Sequence, residues 1–64
     1  MKGYYEPLTK LLREAGWRLL RPGKGSHEIW GNAEGGETVT VPHNCKSRHT
    51  ANSILKDAGL SHRF

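Results

Sequence analysis

The chain has 64 residues with ten Lys or Arg and six Asp or Glu, which gives a formal net charge of +4 and a sequence pI of about 9.7. A chain this short buries only about 60% of its unfolded surface. We therefore expect one domain over residues 1–64, with its core in residues 4–60 and a short C-terminal tail. Such a domain has no room for a deep cofactor pocket, so we expect an exposed site and no cofactor. The positive charge favours a polyanionic partner, either nucleic acid or an acidic protein.

Cysteine content and hydropathy point to a compartment. The single cysteine, Cys45, excludes an internal disulfide framework and suits a reducing environment. No apolar run approaches the roughly 20 residues that span a bilayer. The first five residues, Met1–Tyr5, lack the hydrophobic region of a signal peptide. We expect a cytoplasmic protein without a membrane partner.

One amphipathic helix is predicted near each end of the chain. Apolar residues recur with helical spacing in both segments: Leu8, Leu11, Leu12 and Ala15 in the first, and Ala51, Ile54, Leu55 and Ala58 in the second. Pro7 suits the first helical position, and Gly16 and Gly59 suit the left-handed residue after each helix end. Trp17 and Leu60 follow these glycines, where a Schellman ending places a hydrophobic contact.

Three short strands are predicted between the helices. They cover residues 17–21, 27–30 and 37–41, with turns at Pro22-Gly23 and Gly35-Gly36. Pro42 ends the third strand because it cannot donate a ladder hydrogen bond. The expected fold is therefore α+β in the order α-β-β-β-α, a three-stranded antiparallel sheet with two helices on one face. This is also the order of double-stranded-RNA-binding domains, although fold alone does not assign function.

The sheet faces are assigned from alternation. We expect the inward-facing side chains to be Leu19, Ile29, Val39 and Val41. Strict alternation places His27 on the same face as Ile29, whereas a bulge or the sheet edge could turn it outward. The pattern leaves the direction of His27 open.

The most informative stretch runs from Gly23 to Trp30 and places His27 directly after a basic, glycine-rich turn. Glycines permit positive φ and close approach to a ligand, and the amides of such a turn can bind an anion together with Lys24. The unperturbed pKa of histidine allows proton transfer near neutral pH. A phosphate-binding turn beside a proton-transfer group is what RNA cleavage requires. The alternative is an ordinary hairpin turn with an incidental histidine.

Other side chains are candidates for binding. Lys24, Lys46 and Arg48 lie in loops or near a helix start, where they could contact phosphates, or they are simply solvated surface charges. Trp30 could stack on a base, pack in the core, or lie in a protein interface, where Trp is enriched.

One short segment contains residue types that bind zinc. His43, Cys45 and His49 form the pattern H-x-C-x₃-H, which contains zinc-ligand types. Structural zinc normally takes four ligands, and no fourth is evident because His49 lies where the second helix begins. We expect no metal site, and we assign no role to His62 in the polar tail.

Four segments in order resemble the HicA toxins, the small RNA-cleaving partners of HicB antitoxins. They are Leu11-Leu12-Arg13-Glu14-Ala15-Gly16-Trp17, Gly25-Ser26-His27, Thr38-Val39-Thr40-Val41-Pro42 and Ile54-Leu55-Lys56-Asp57-Ala58-Gly59-Leu60. The resemblance covers roughly residues 4 to 60. It implies a double-stranded-RNA-binding-like fold, a metal-independent mRNA endoribonuclease and a tight complex with a HicB-like antitoxin.

The family's functional histidine, in its Gly-Ser-His motif, falls on His27. The resemblance thus implies His27 as the general acid or base. Together with the candidates above, we expect Lys24, Ser26, Lys46 and Arg48 to bind RNA, and Lys24, His27 and Trp30 to contact the antitoxin. The turn after Arg21 is one residue longer than in many members, which weakens the transfer of roles to Arg21 and Lys24.

Two other functions fit the same sequence. A non-catalytic RNA-binding module would need only spread positive charge and no unique histidine. A basic protein-interaction domain would bind an acidic partner without cleaving RNA.

If the protein cleaves RNA, one histidine cannot easily serve as both base and acid in a concerted step, so Lys24, Ser26 or water would fill the other role.

Overall fold

The computed structural model describes residues 3–32 and 34–64. The expectation that Met1–Tyr5 lacks a signal-peptide hydrophobic region includes Met1 and Lys2, which lie outside the described residues. The elements follow the expected order: α1 (Tyr5–Glu14), β1 (Trp17–Pro22), β2 (His27–Asn32), β3 (Thr38–Pro42) and α2 (Arg48–Asp57). The three strands form one antiparallel sheet in the order β1-β2-β3. The predicted α-β-β-β-α fold is confirmed.

The helix ends follow the glycine signals in the sequence. Gly59 has a φ of +77°, and the amides of Leu60 and Gly59 donate to the carbonyls of Leu55 (2.8 Å) and Lys56 (3.0 Å). This is the pair of bonds that defines a Schellman ending. At the start of α2, the Ser47 side chain accepts a hydrogen bond from the amide of Thr50, which satisfies one otherwise unpaired donor of the first turn.

Helix α1 differs from the prediction at both ends. It begins at Tyr5, two residues before Pro7, so Pro7 lies within the first turn, where its missing N–H costs no helical hydrogen bond. Ala15 is the C-cap and is exposed, so the buried stripe of α1 ends at Leu12. Gly16 follows with a φ of +96°, the left-handed conformation that the sequence predicted.

The side chains on the helix-covered face of the sheet differ from the predicted inward-facing ones. Val39 and Val41 are buried as predicted. Their partners on β2 are Trp30 and Glu28, whereas Ile29 pairs with Thr40. The inward positions of β2 are therefore the even ones, since paired residues share a face. Ile29 is only half-buried and lies on the opposite face, so its predicted inward position is wrong.

The first strand is also irregular. Its pairing with β2 shifts between Leu19 and Arg21, as in a β-bulge. Leu19 pairs with the inward-facing Trp30, but it is 47% exposed and Leu20 is 54% exposed, so Leu19 is not part of the buried core. Trp17, at 1% exposure, supplies the buried side chain of β1 instead. Two tryptophans, Trp17 and Trp30, are thus the largest fully buried side chains of the described residues.

The core lies in one layer between the sheet and the two helices. Its buried residues are Leu8, Leu12, Trp17, Trp30, Val39, Val41, Cys45, Ala51, Ile54 and Leu55. Among the described residues, neither helix is both long and apolar enough to cross a membrane.

Candidate functional site

The turn between β1 and β2 holds His27 by both its backbone and its ring. The His27 amide donates to the Lys24 carbonyl (3.2 Å), and the Gly23 amide donates to the His27 carbonyl (2.7 Å). Gly25 has a φ of +64°, a conformation that glycine adopts without the penalty of a Cβ. The glycine-rich sequence is what allows so tight a turn before the strand begins.

The imidazole of His27 has a defined orientation. Its Nδ1 lies 3.0 Å from the Lys24 carbonyl oxygen. A carbonyl oxygen only accepts, so Nδ1 must carry the proton. In the neutral ring, Nε2 is then the unprotonated nitrogen and can accept a proton. The side chain is exposed, so a substrate can reach it.

His27 lies on the face of the sheet that bears no helix. His27 pairs with Pro42 and Ile29 pairs with Thr40, whereas Glu28 between them pairs with the buried Val41. Alternation therefore places His27 on the face opposite the core. His27 shares a face with Ile29, as strict alternation predicts, but this face is turned outward, which settles the direction that the sequence left open.

Arg21 is the cation that the sheet register places nearest to His27 on this face. Arg21 pairs with Ile29, two residues along β2 from His27. Diagonal neighbours of this kind have Cα atoms about 7–8 Å apart, within reach of a long side chain. Arg21 is exposed and is the last non-proline residue of β1. The family resemblance transferred a role to Arg21 only weakly, and its nearness to His27 follows from the strand pairing.

The other predicted phosphate contacts lie in two exposed segments, the turn before His27 and the chain that leads into α2. Lys24 and Ser26 are exposed in the turn that precedes His27. The His43 amide donates to the Ser26 carbonyl (2.7 Å), which holds the chain after β3 against this turn. Lys46 and Arg48 follow a few residues later, both exposed at the start of α2. The structure thus joins the turn before His27 to the chain after β3, and Lys46 and Arg48 lie three and five residues beyond His43 in that chain.

Glu28 forms a half-buried polar network on the helix-bearing face. One carboxylate oxygen accepts hydrogen bonds from the Tyr5 hydroxyl (2.8 Å) and the Trp30 indole N–H (3.1 Å). The other lies 3.3 Å from Nδ1 of His43. The sequence pattern does not predict this network, because alternation from Ile29 places Glu28 on the outward face of β2.

This network shifts the pKa values of two of its members. Burial and the hydrogen bond to Glu28 raise the pKa of Tyr5 to about 12. Burial alone would raise the pKa of the Glu28 carboxyl, but the hydrogen bonds from Tyr5, Trp30 and His43 outweigh it and hold the pKa below its usual value. Glu28 is therefore a structural carboxylate that ties α1 to the sheet.

Trp30 is buried, whereas contact with a partner protein or stacking on a base requires an exposed side chain. Its side chain is fully buried, at 0% exposure, and the Arg13 guanidinium carbon lies 5.1 Å from the centre of its ring system. Of the three roles considered, packing in the core is the one that the structure supports. The assignment of Trp30 as a direct antitoxin contact is therefore wrong for this conformation, because inward positions of β2 face the helices.

The residues of the H-x-C-x₃-H pattern lie apart. Cys45 is buried, with its thiol 3.8 Å from the Ser47 carbonyl, and burial raises its thiol pKa. The side chain of His43 is 65% exposed and its ring packs at a tilted angle against that of Tyr5, whereas His49 is exposed on α2. Across residues 3–32 and 34–64, no three His, Cys, Asp or Glu side chains are grouped to hold a metal ion.

These features define a small basic α+β domain that exposes one oriented histidine beside a glycine turn. Comparison with family models matches residues 6–60 to the HicA toxin of bacterial toxin–antitoxin systems. The match covers most of the chain, so this protein belongs to the HicA toxin family. Members of this family act within HicA–HicB systems and are known for mRNA cleavage. Comparisons with curated proteins and with solved structures gave no match.

Proposed function

We propose that this chain is the toxin of a type II toxin–antitoxin pair and cleaves mRNA without a metal ion. The observation that carries the proposal is the exposed His27 ring, whose Nδ1 proton is engaged by the Lys24 carbonyl. This hydrogen bond leaves Nε2 as the base of the neutral ring. Membership of the HicA toxin family supports the toxin role.

The proposed chemistry uses the 2′-hydroxyl of RNA as the nucleophile. Nε2 of His27 takes the 2′-hydroxyl proton, the 2′-oxygen attacks the adjacent phosphorus, and the bond from phosphorus to the 5′-oxygen breaks. The departing 5′-oxygen takes a proton from Lys24, from Ser26 or from water. The products are a 2′,3′-cyclic phosphate and a free 5′-hydroxyl. DNA lacks the nucleophile, so it is not cleaved.

The surrounding cations would stabilise the phosphorane. Its extra negative charge needs donors placed before the reaction begins. Arg21, diagonal to His27 across β1 and β2, and Lys24 in the turn are the nearest basic residues by register. Lys46 and Arg48, both exposed where α2 begins, would hold flanking phosphates, as would the Ser26 hydroxyl.

Two variants of His27 test the proton-transfer role. His27→Ala removes the ring, and His27→Asn keeps an N–H that can donate to the Lys24 carbonyl but cannot exchange a proton near neutral pH. We expect both to lower the RNA cleavage rate by about 10²-fold or more, the usual scale of acid–base catalysis. Growth inhibition on expression should disappear with it. A His27→Asn protein that cleaves RNA at the wild-type rate would show that His27 only shapes the turn.

Product analysis and chelation test the rest of the route. Cleavage of a short single-stranded RNA should leave cyclic phosphate ends and should continue in excess EDTA. Loss of activity in EDTA with recovery on addition of a divalent metal would contradict the proposal. A protein that binds RNA tightly but never cleaves it would instead be the non-catalytic RNA-binding module.

A further inference from the structure

A basic groove runs along the outer side of α2, away from the sheet. It has a volume of about 500 Å³ and is lined by His49, Asn52, Ser53, Lys56, Leu60, Ser61, His62 and Arg63. The four helical residues are spaced at i, i+3, i+4 and i+7, so they form one stripe. The buried residues of α2 are Ala51, Ile54 and Leu55, which places the groove on the opposite side of the helix.

The returning C-terminal tail forms the second wall of the groove. The Phe64 amide donates to Asn52 Oδ1 (2.8 Å), and the Phe64 ring lies 5.2 Å from those of Tyr4 and His62. These contacts hold residues 61–63 along the helix. The groove is therefore built by packing, since its two walls come from separate segments.

The side chains that line the groove suit a ligand that combines a negative charge with a planar aromatic group. Lys56 and Arg63 carry fixed positive charge, and the described residues that line the groove include no carboxylate. Leu60 and the two imidazoles add apolar or aromatic surface on which a base can stack. Hydroxyl and amide groups can donate to or accept from base edges. The volume lies in the range of small-ligand sites, about 300–1,000 Å³.

We propose that this groove binds a nucleotide of single-stranded RNA at a distance from the cleaved bond. The inference rests on the proposed function, because the RNA substrate supplies the nucleotide. His49, the first residue in the chain that lines the groove, directly follows Arg48 at the start of α2, and Lys46 lies three residues before His49. Both of these cations are exposed, so a strand that reaches the start of α2 would meet them before Lys56 and Arg63. The groove would add affinity without taking part in the chemistry.

A matched pair of lysine variants tests the proposal. Lys56 in α2 and Lys10 in α1 are both exposed helical lysines, and only Lys56 lines the groove. In a His27→Asn background, which keeps the RNA intact, Lys56→Ala should lower the slope of log affinity against log salt by about 0.7, as for one lost phosphate contact on a single strand. Arg63→Ala should do the same, and Lys10→Ala should leave the slope unchanged. Equal slopes for Lys56→Ala and Lys10→Ala would overturn the proposal.

A mononucleotide probe locates the contact. Titration of 5′-AMP should shift the amide resonances of residues 49–63 in a saturable way, and adenosine, which lacks the phosphate, should bind at least tenfold more weakly. Shifts confined to residues 21–28 would overturn the proposal. A groove that responds to an acidic peptide but not to 5′-AMP or RNA would also overturn it, since its occupant would then be a protein.

The two proposals fail in different ways. If the wild-type protein cleaves RNA while Lys56→Ala leaves its KM unchanged, the groove proposal is wrong and the function stands. If RNA is never cleaved but 5′-AMP still saturates the groove, the function is wrong and the groove remains a nucleotide site.

Discussion

At the scale of single residues, the position of Arg21 gives the clearest test of the site geometry. Arg21→Ala should lower kcat for RNA cleavage by up to about 10²-fold, the lower end of what the loss of one charge-stabilising donor costs. Arg18→Ala is the matched control, because it removes the same charge from the same strand. The Arg18 guanidinium donates to the carbonyls of Arg13 and Trp17 at the far end of β1. Equal effects of the two substitutions would point to overall charge rather than to a position beside His27.

The burial of Trp30 leads to a second prediction about one residue. Trp30→Phe keeps an aromatic ring in the core but loses the indole N–H bond to Glu28, which should cost about 1–3 kcal/mol of stability. The measurement is the free energy of unfolding in urea. Antitoxin affinity and the cleavage rate per folded molecule should stay at wild-type values. A large loss of antitoxin affinity in a folded Trp30→Phe protein would restore the interface role.

At the scale of the elements, Glu28 joins α1 to β2 and to the end of β3. Its folded-state pKa lies below the usual 4.5, so the stability it contributes is fully present above that pH and is lost as the pH falls further. The pKa of Tyr5 is raised from 10 to about 12, so its contribution is present below pH 10 and is lost as the pH rises through that interval. Both pH limits arise from one hydrogen-bonded network.

Tyr5→Phe removes the group that causes the alkaline loss of stability and leaves the Glu28 carboxylate in place. Loss of its hydrogen bond to Glu28 should reduce stability near neutral pH by about 0.5–1.5 kcal/mol. Between pH 10 and 12, the difference in unfolding free energy between wild type and variant should shrink, because the variant has no phenol at this position to ionise. Urea unfolding across this range provides the measurement. A difference that stays constant with pH would show that the Tyr5 hydroxyl does not stabilise the fold through this bond.

The same elements show what local sequence could and could not predict. Both helices, the three strands and the glycine endings follow from short-range rules, and the Gly59 ending matches them bond for bond. The face assignment of β2 failed because Ile29 and Trp30 are adjacent and both apolar, so a one-residue choice of register decides it. The bulge in β1 left no local signal. The nearness of Arg21 to His27 depends on the register of the β1–β2 pairing, and the groove depends on how the tail packs against α2, neither of which the sequence pattern specifies.

At the scale of the whole molecule, the shape limits how the activity can be controlled. The principal extents are 33 × 27 × 15 Å, and the sheet face that carries His27 is exposed. Blocking this site requires cover from outside. A HicB-like antitoxin that places acidic residues against Lys24 and Arg21 would supply that cover. Electrostatic attraction of this kind speeds association, so complex formation should slow as salt rises.

Hydrogen exchange on the free and bound protein tests this model of inhibition. Amides at the turn, residues 24–27, should gain protection when the antitoxin binds, while RNA cleavage stops. The groove on α2 lies on another side of the molecule, so its amides should exchange at similar rates in both states, and 5′-AMP should still bind there. Protection confined to the two helices, with cleavage abolished, would mean that the antitoxin acts without covering His27. In that case the complex should be tested with a dinucleotide substrate, which contacts only the site around His27. Cleavage of the dinucleotide by the complex would show that His27 is still active.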